Sequence, residues 1–375
     1  MKYPLASDTW DNREVSAIHR VIESGRYTMG AEVKKFEQEF AEFFGSKHAV
    51  MTNSGSSANL LAIATLREHE KFPSKGNIIV PAVSWSTTFF PVHQLGYTLR
   101  FVDVDPVTFN ISLEAIENAI DDETVAVFAV NLLGNPVELS KLKKLCHDNE
   151  IVLLEDNCES LGALEYEKFA GTYGHMGTFS FFFSHHMQTM EGGMVLTDDD
   201  DLVDYLRSMR AHGWVRDLGN DSELYTKTGN GFEDSFRFVL PGYCVRPLEM
   251  SGAIGQEQLK KAPAMLSKRC ANAYEAKKIF ADVPGVRLQQ ENPAGTSSWF
   301  GFGLVVEEHL LGRRQEVLDA LAAAEVETRP IVAGNFMRNP VINRLNWDSV
   351  GSFDAADDLH NNGFFIGNDA RDLYY

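Results

Sequence analysis

The feature that most constrains this chain is the regular alternation, through its first half, of short apolar runs with segments of helical periodicity. Runs bounded by turn residues at 48–51, 77–80, 99–104, 125–131 and 151–155 read as buried strands, and 192–197 reads as another. Helix-patterned stretches lie between them at 57–66, 113–119 and 139–148, with a further one at 200–211. An opening helix is expected over Asn12 to Ser24, where Val15, Ile18, Val21 and Ile22 share a face and Gly25 ends the pattern. Continuously apolar strands separated by helices predict an α/β fold, with a mostly parallel sheet covered on both faces. Residues 217–236 are polar, contain glycine and lack periodicity. They read as a long loop, of the kind that is usually functional or mobile.

Beyond that loop the pattern changes. A long helix is expected from Leu248 past Lys260 towards Phe280, then a strand over 299–306, a helix over 313–324 and an apolar segment at 330–332. This predicts a large domain over residues 1–245 and a smaller α+β C-terminal domain over 246–375. With 375 residues and 44% apolar content, the chain can bury a large core.

Composition removes several classes of function. A net charge of −19 argues against a nucleic-acid binder and requires any anionic substrate to meet a local basic pocket. No apolar run has the length of a membrane span, and the opening MKYPLASDTW lacks a charged-then-apolar leader pattern. Cys146, Cys158, Cys244 and Cys270 are scattered without CxxC spacing, as expected of a reduced, cytoplasmic protein.

Four motifs stand at or just after strand ends, where open α/β sheets bind ligands. Asn53-Ser54-Gly55-Ser56-Ser57-Ala58-Asn59 opens a helix, and backbone amides there suit a phosphate. The competing use is an ordinary capped turn. Trp85, in PAVSWSTT, is placed to stack on a flat ring, against the alternative of a core tryptophan. Asp156, in LEDNCE, supplies a carboxylate at the end of an apolar strand, where an aspartate can equally serve as a helix cap. The stretch from Phe179 to Gly193, FSFFFSHHMQTMEGG, carries adjacent His185 and His186. Neighbours in a strand point to opposite faces and no third ligand is suitably spaced, so no metal site is expected.

These motifs, in this order, resemble the sugar aminotransferase and dehydratase family of fold type I vitamin B6 enzymes, the DegT/DnrJ/EryC1/StrS family. In that family a lysine stands five residues after the serine matching Ser180 and six before the glutamate matching Glu191; here both counts reach His185. Tyr27-Thr28-Met29-Gly30, Asn131 to Pro136, His212-Gly213-Trp214 and Arg329 to Asn335 add to a resemblance covering nearly the whole chain. It implies the aspartate-aminotransferase-like fold and a homodimer with shared active sites. It also implies pyridoxal or pyridoxamine phosphate held by Gly55, Ser56, Ser57, Trp85, Asp156, Glu159, Ser180, Ser184 and Cys244. Tyr27, His212, Arg246 and Arg329 would meet the sugar nucleotide.

Histidine moves protons near neutral pH and cannot form the lysine's imine tether. The substitution points to the family's dehydratase branch, with His185 as acid and base. That branch implies glutamate as amino donor and loss of the C3 hydroxyl from a nucleotide-linked 4-keto-6-deoxyhexose, with GDP-4-keto-6-deoxymannose, a precursor of colitose, as the expected substrate. Cys244 replaces an asparagine that commonly contacts the neighbouring subunit's cofactor phosphate, and a thiol is the poorer hydrogen-bonding group. Residues 217–238 lack cysteines, so neither an iron–sulfur cluster nor a reductase partner is expected. The resemblance leads us to expect a last family helix beyond Tyr375. The competing readings are an aminotransferase using His185 as a slow shuttle and a catalytically silent cofactor-binding relative.

Overall fold

The computed structural model describes residues 3–220 and 222–370. Helix α1 (Asn12–Ser24) opens with a capping box, in which Asp11 accepts from the chain ahead and Glu14 reaches back to the Asp11 amide. Helix α2 (Ala31–Phe44) buries Val33, Phe36, Phe40 and Phe44, a one-face spacing that the sequence analysis passed over. There follow β1 (His48–Thr52), α3 (Gly55–Glu68), β2 (Asn77–Pro81), α4 (Ser86–Gln94), β3 (Thr98–Val102), α5 (Leu113–Ala119), β4 (Thr124–Val130), α6 (Leu139–Asp148) and β5 (Val152–Asp156). The short hairpin β6 (Leu164–Glu165) and β7 (Lys168–Phe169) precedes β8 (Met176–Ser180), β9 (Gly193–Thr197) and α7 (Asp200–Arg210).

Among the described residues, eight strands form the main sheet in the order β1-β9-β8-β5-β4-β2-β3-β14, the last being Trp347–Ser349. Only β9 runs against the others, pairing antiparallel with β1 and β8, so the expected mostly parallel sheet is present. Successive residues face opposite layers: Ile78, Phe128 and Leu154 pack with Leu61 and Phe89 on one side, while Ile79, Val127 and Leu153 pack with Ile116 and Leu142 on the other. Two covered faces explain the apolar runs at successive positions in the central strands.

Residues 217–236 are largely irregular and include one short helix, α8 (Gly231–Asp234). Helix α9 (Glu249–Ala281) is the expected long helix and packs along α1 and α2. Its Glu249 accepts from the amides of Gly30, Glu32 and Val33, capping α2 from outside. A second sheet has the antiparallel order β10-β12-β15-β13, formed by Val286–Leu288, Gly301–Val306, Gly363–Gly367 and Thr328–Arg329. The pair β11 (Gly295–Thr296) and β6 extends the small hairpin, and α10 (Arg314–Ala323) and α11 (Asp354–Asn362) cover the second sheet.

Two details lie outside the sequence pattern. Strand pairing ends at Arg329, before the apolar segment at 330–332 that opens with Pro330, and Val332 has φ 49°. In turn, β14 extends the main sheet beside β3, although WDS carries no apolar run. No described helix is long and apolar enough to cross a membrane.

Candidate active site

The strands β1, β2, β4, β5 and β8 run the same way, so their C-terminal ends bring Ser54, Trp85, Asn131, Asp156 and Ser180 to one edge of the sheet. That edge is where the sequence motifs converge.

Asp156 is the most fully held group there. Asn59 Nδ2 and Thr88 Oγ1 each donate to its Oδ2 at 2.8 Å, and the Cys158 amide donates to Oδ1 at 3.1 Å. Thr178 Oγ1 in turn donates to Asn59 Oδ1 at 2.6 Å, which fixes the amide's orientation. The carboxylate is buried and immobilised, with lone pairs left for one further cationic donor. Asn59 and Thr88 were missed in the sequence because their helical positions resemble ordinary core-facing polar residues.

The turn before α3 is built for a close approach. Ser54 caps the helix, its Oγ accepting from the Ser57 amide at 3.1 Å. Gly55 lies against Ser180: an added Cβ would collide with Ser180 Cβ and come within 2.8 Å of its Oγ. Ser56 is exposed and Ser57 half-buried, so first-turn amides and two hydroxyls face outward beside Ser180. The segment carrying Cys244 passes alongside, since the Asn53 amide donates to Val245 O at 3.0 Å. Cys244 is exposed, with the Arg246 guanidinium 3.5 Å from its sulfur. Arg246 Nε is buried without a partner. His212 is joined to the same segment through its amide, which donates to Tyr243 O at 2.6 Å.

His185 follows β8 on a turn closed by its own amide donating to Phe182 O at 2.9 Å. Its ring is held mainly by aromatic edges, Phe300 at 5.3 Å and Phe182 at 6.0 Å between centroids, with Ser184 Oγ 3.5 Å from Nδ1. Burial, then the nearby Arg269 cation, pushes its pKa down to about 4. His186 is buried and takes a separate direction, its Nε2 3.0 Å from Ser298 O. The pair does not share a ligand position, and among the described residues no cluster of His, Cys, Asp and Glu suits a metal.

A short chain of contacts ties His185 to the Asp156 end. The Phe300 amide donates to Leu133 O at 3.0 Å, and the Leu133 amide donates to Glu159 Oε2 at 3.0 Å. Burial, reinforced by Asp156 and opposed by that amide, raises the Glu159 pKa to about 7. Trp85 is 57% exposed, which removes the core-tryptophan alternative. Tyr27 is also exposed, its carbonyl accepting from the Glu249 amide. Arg329 sits on the edge strand β13, exposed and paired with Glu327 at 3.3 Å.

A strand-end carboxylate, an amide-rich turn, an exposed indole and a half-buried imidazole form one surface. The DegT/DnrJ/EryC1/StrS aminotransferase family profile matches residues 8–368. The chain belongs to that family. It is 50% identical over 377 residues to GDP-4-keto-6-deoxy-D-mannose 3-dehydratase of Yersinia pseudotuberculosis, spanning 100% of this chain and 95% of the relative. It is similar to a crystal structure of a variant of GDP-4-keto-6-deoxymannose-3-dehydratase (ColD) with bound GDP-perosamine, with TM-score 0.96 and 48% identity over 99% of this chain and 97% of that one. A structure of the same enzyme with a trapped PLP-glutamate geminal diamine matches with the same scores and coverage.

For a DegT/DnrJ/EryC1/StrS family member, the sequence left out the supports rather than the reactive groups. Arg269, Phe300 and Leu133 surround His185 and Glu159 from elements distant in sequence. The one available signal was Gly134, whose φ of 94° and close approach to the Trp299 and Phe300 amides explain the glycine in NLLGNP.

Proposed function

We propose that this chain is a pyridoxal-phosphate-dependent 3-dehydratase of GDP-4-keto-6-deoxy-D-mannose, using glutamate as amino donor. The observation that carries the reading is an imidazole, not an amine, on the turn after β8 beside the Asp156 carboxylate edge. The residues present fit the cofactor. Gly55, lacking a Cβ, lets Ser180 pack against the turn, which sets Ser180 Oγ beside the amides and hydroxyls of Ser56 and Ser57 that would hold the phosphate. Asp156 is pre-fixed to hold a protonated ring nitrogen, Trp85 offers an exposed face for stacking, Ser184 Oγ lies 3.5 Å from the imidazole, and Glu159 holds the Leu133 amide near Asp156. When bound, the cofactor supplies an electron sink and, after taking glutamate's amino group, the amine that activates the C4 ketone.

The chain's own residues then have separable tasks. Asp156, fixed by Asn59, Thr88 and the Cys158 amide, would hold the cofactor's ring nitrogen in place. His185 starts neutral, would take the proton given up by the bound cofactor's amine-bearing carbon, and would pass it to the departing C3 oxygen, so that hydroxide leaves as water. Without an amine at this position no covalent tether forms, which leaves elimination favoured over return of an amino sugar. Hydrolysis then yields the 3-deoxy ketone and ammonia. Tyr27, His212, Arg246 and Arg329 are the proposed contacts for the sugar nucleotide, Arg246 and Arg329 offering guanidinium forks to its phosphates.

The same reading extends to a homodimer. Tyr27, Phe183, Met190, Phe236, Phe238 and Leu248 are exposed around the site, and burial against a second copy would remove this apolar surface from water. Cys244 would face the partner's site there. A division at 245/246, a cytoplasmic location and a place in colitose and O-antigen synthesis complete the proposal. The test is a full assay with pyridoxal phosphate, glutamate and GDP-4-keto-6-deoxymannose, following product mass and ammonia. A sugar product one oxygen lighter, its C3 hydroxyl replaced by hydrogen, with one ammonia and one 2-oxo acid formed per turnover supports it; a new amine with the C3 hydroxyl retained rejects it.

A further inference from the structure

The segment 298–300 is fixed with more care than a connection between strands requires. His186 Nε2 holds Ser298 O, the Ser298 amide donates to Gly134 O at 2.9 Å, and Trp299 adopts a left-handed φ of 49°. Asn368 Nδ2 donates to Trp299 O at 2.9 Å and to Arg269 O at 3.1 Å. Arg269, on α9, adds Nη1 to Trp299 O at 3.4 Å and to Phe300 O at 3.1 Å. The product of this clamp is the Phe300 ring, set edge-on to His185 and tilted against His186 at 5.7 Å.

A guanidinium is an expensive clamp. Arg269 is only 5% exposed, and its Nε finds no partner. A buried cation is costly unless well paired, and Asn368 shows that a neutral amide can hold the same carbonyl. What the arginine adds is charge beside two imidazoles.

We infer that Arg269 is a positioning residue for His185, acting in two ways: it locks the backbone that carries Phe300 against the imidazole, and its cation keeps the proton from resting on the histidine. This rests on the reading of His185 as the base. The titratable or charged groups bearing on the site are His186 on the same turn, Arg269 on α9, Asp369 on the C-terminal segment opposite Arg269, and Glu159 with Asp156 at the β5 end. Burial brings Arg269 down to about 10, so it is a cation throughout the working range. A neutral His185 is ready to accept, and once protonated beside Arg269 it is a strong acid towards the leaving oxygen.

The experiment compares the full chain with Arg269→Lys, Arg269→Met and Phe300→Leu, measuring kcat and KM against pH and titrating 13C-labelled histidine by NMR, with His185→Asn to assign the signal. Wild-type His185 should remain neutral to about pH 5, where an ordinary imidazole titrates near 6.5. Arg269→Met should lower kcat about tenfold or more, with KM changed less than about threefold, and move the acidic limb and the NMR midpoint upward, though short of the ordinary imidazole value of about 6.5 because burial remains. Arg269→Lys should keep the limb and lose part of kcat; Phe300→Leu should lower kcat and leave the limb in place. A wild-type limb and kcat in Arg269→Met overturn the inference. So does a wild-type NMR midpoint near 6.5, a reading that needs no variant to fold. Full dehydration by His185→Asn would instead reject the underlying reading of His185.

Discussion

Two groups at the same sheet edge are held by opposite means. Asp156 is fixed by three hydrogen bonds, from Asn59, Thr88 and the Cys158 amide, inside a packed layer. The His185 ring has aromatic edges around it and one long contact to a hydroxyl. The difference matches the two tasks. A carboxylate that must keep one charge state and one place gains from every donor that favours its ionised form. A group that must gain and lose a proton is served by packing, which sets its position without committing its nitrogens.

That contrast is broken most sharply by exchanging the groups' chemistry. His185→Asn should lower dehydration by about 10³-fold while changing stability by less than about 1 kcal/mol, because no strong hydrogen bond is lost. Asp156→Asn should cost on the order of 10²–10³-fold, through the loss of a preorganised charge opposite the cofactor. Activity by product mass and stability by urea unfolding check both.

The supports of Asp156 should behave in the reverse sense to those of His185. Asn59→Leu leaves a buried carboxylate short of a donor and should cost about 1–3 kcal/mol of stability together with roughly tenfold in activity. A stability loss from Phe300→Leu as large as that from Asn59→Leu, with no effect on kcat, would erase the distinction.

The smallest expected effect belongs to Glu159, which stands between the two groups. Its pKa is raised in the folded protein to about 7, so the stability it contributes is present below the ordinary carboxylate pKa and lost as pH rises through 7. Glu159→Gln should therefore match the wild type near pH 5 and exceed it near pH 8, by on the order of 1 kcal/mol once partial exposure is allowed for. Thermal unfolding of the cofactor-free chain across that range measures it.

The sequence made the reactive groups legible and hid their supports. His185 and Asp156 stand in short motifs at strand ends, where chemistry and local pattern coincide. Asn59 and Thr88 close two of those motifs, but their part was hidden, because a polar residue within a helix has no local signature of the carboxylate it meets across the fold. Arg269 lies in a long helix among other basic residues, and only the tertiary structure separates the buried one from those in water. The parallel sheet was readable because both faces of its central strands are covered, which makes runs such as IIV, VAVFAV and VLL apolar at successive positions. For β14 the reverse holds: a short edge strand with WDS buries little and leaves no run to detect.

The most direct test of the central claim is a paired turnover measurement on wild type and His185→Lys, with glutamate and GDP-4-keto-6-deoxymannose, counting ammonia and weighing the product. The account predicts one ammonia per turnover and a sugar product one oxygen lighter than its substrate in the wild type, with dehydration abolished or diverted to an amino sugar in the lysine variant. Equal dehydration by both proteins would contradict it, because the chemistry would then not depend on an imidazole at that position.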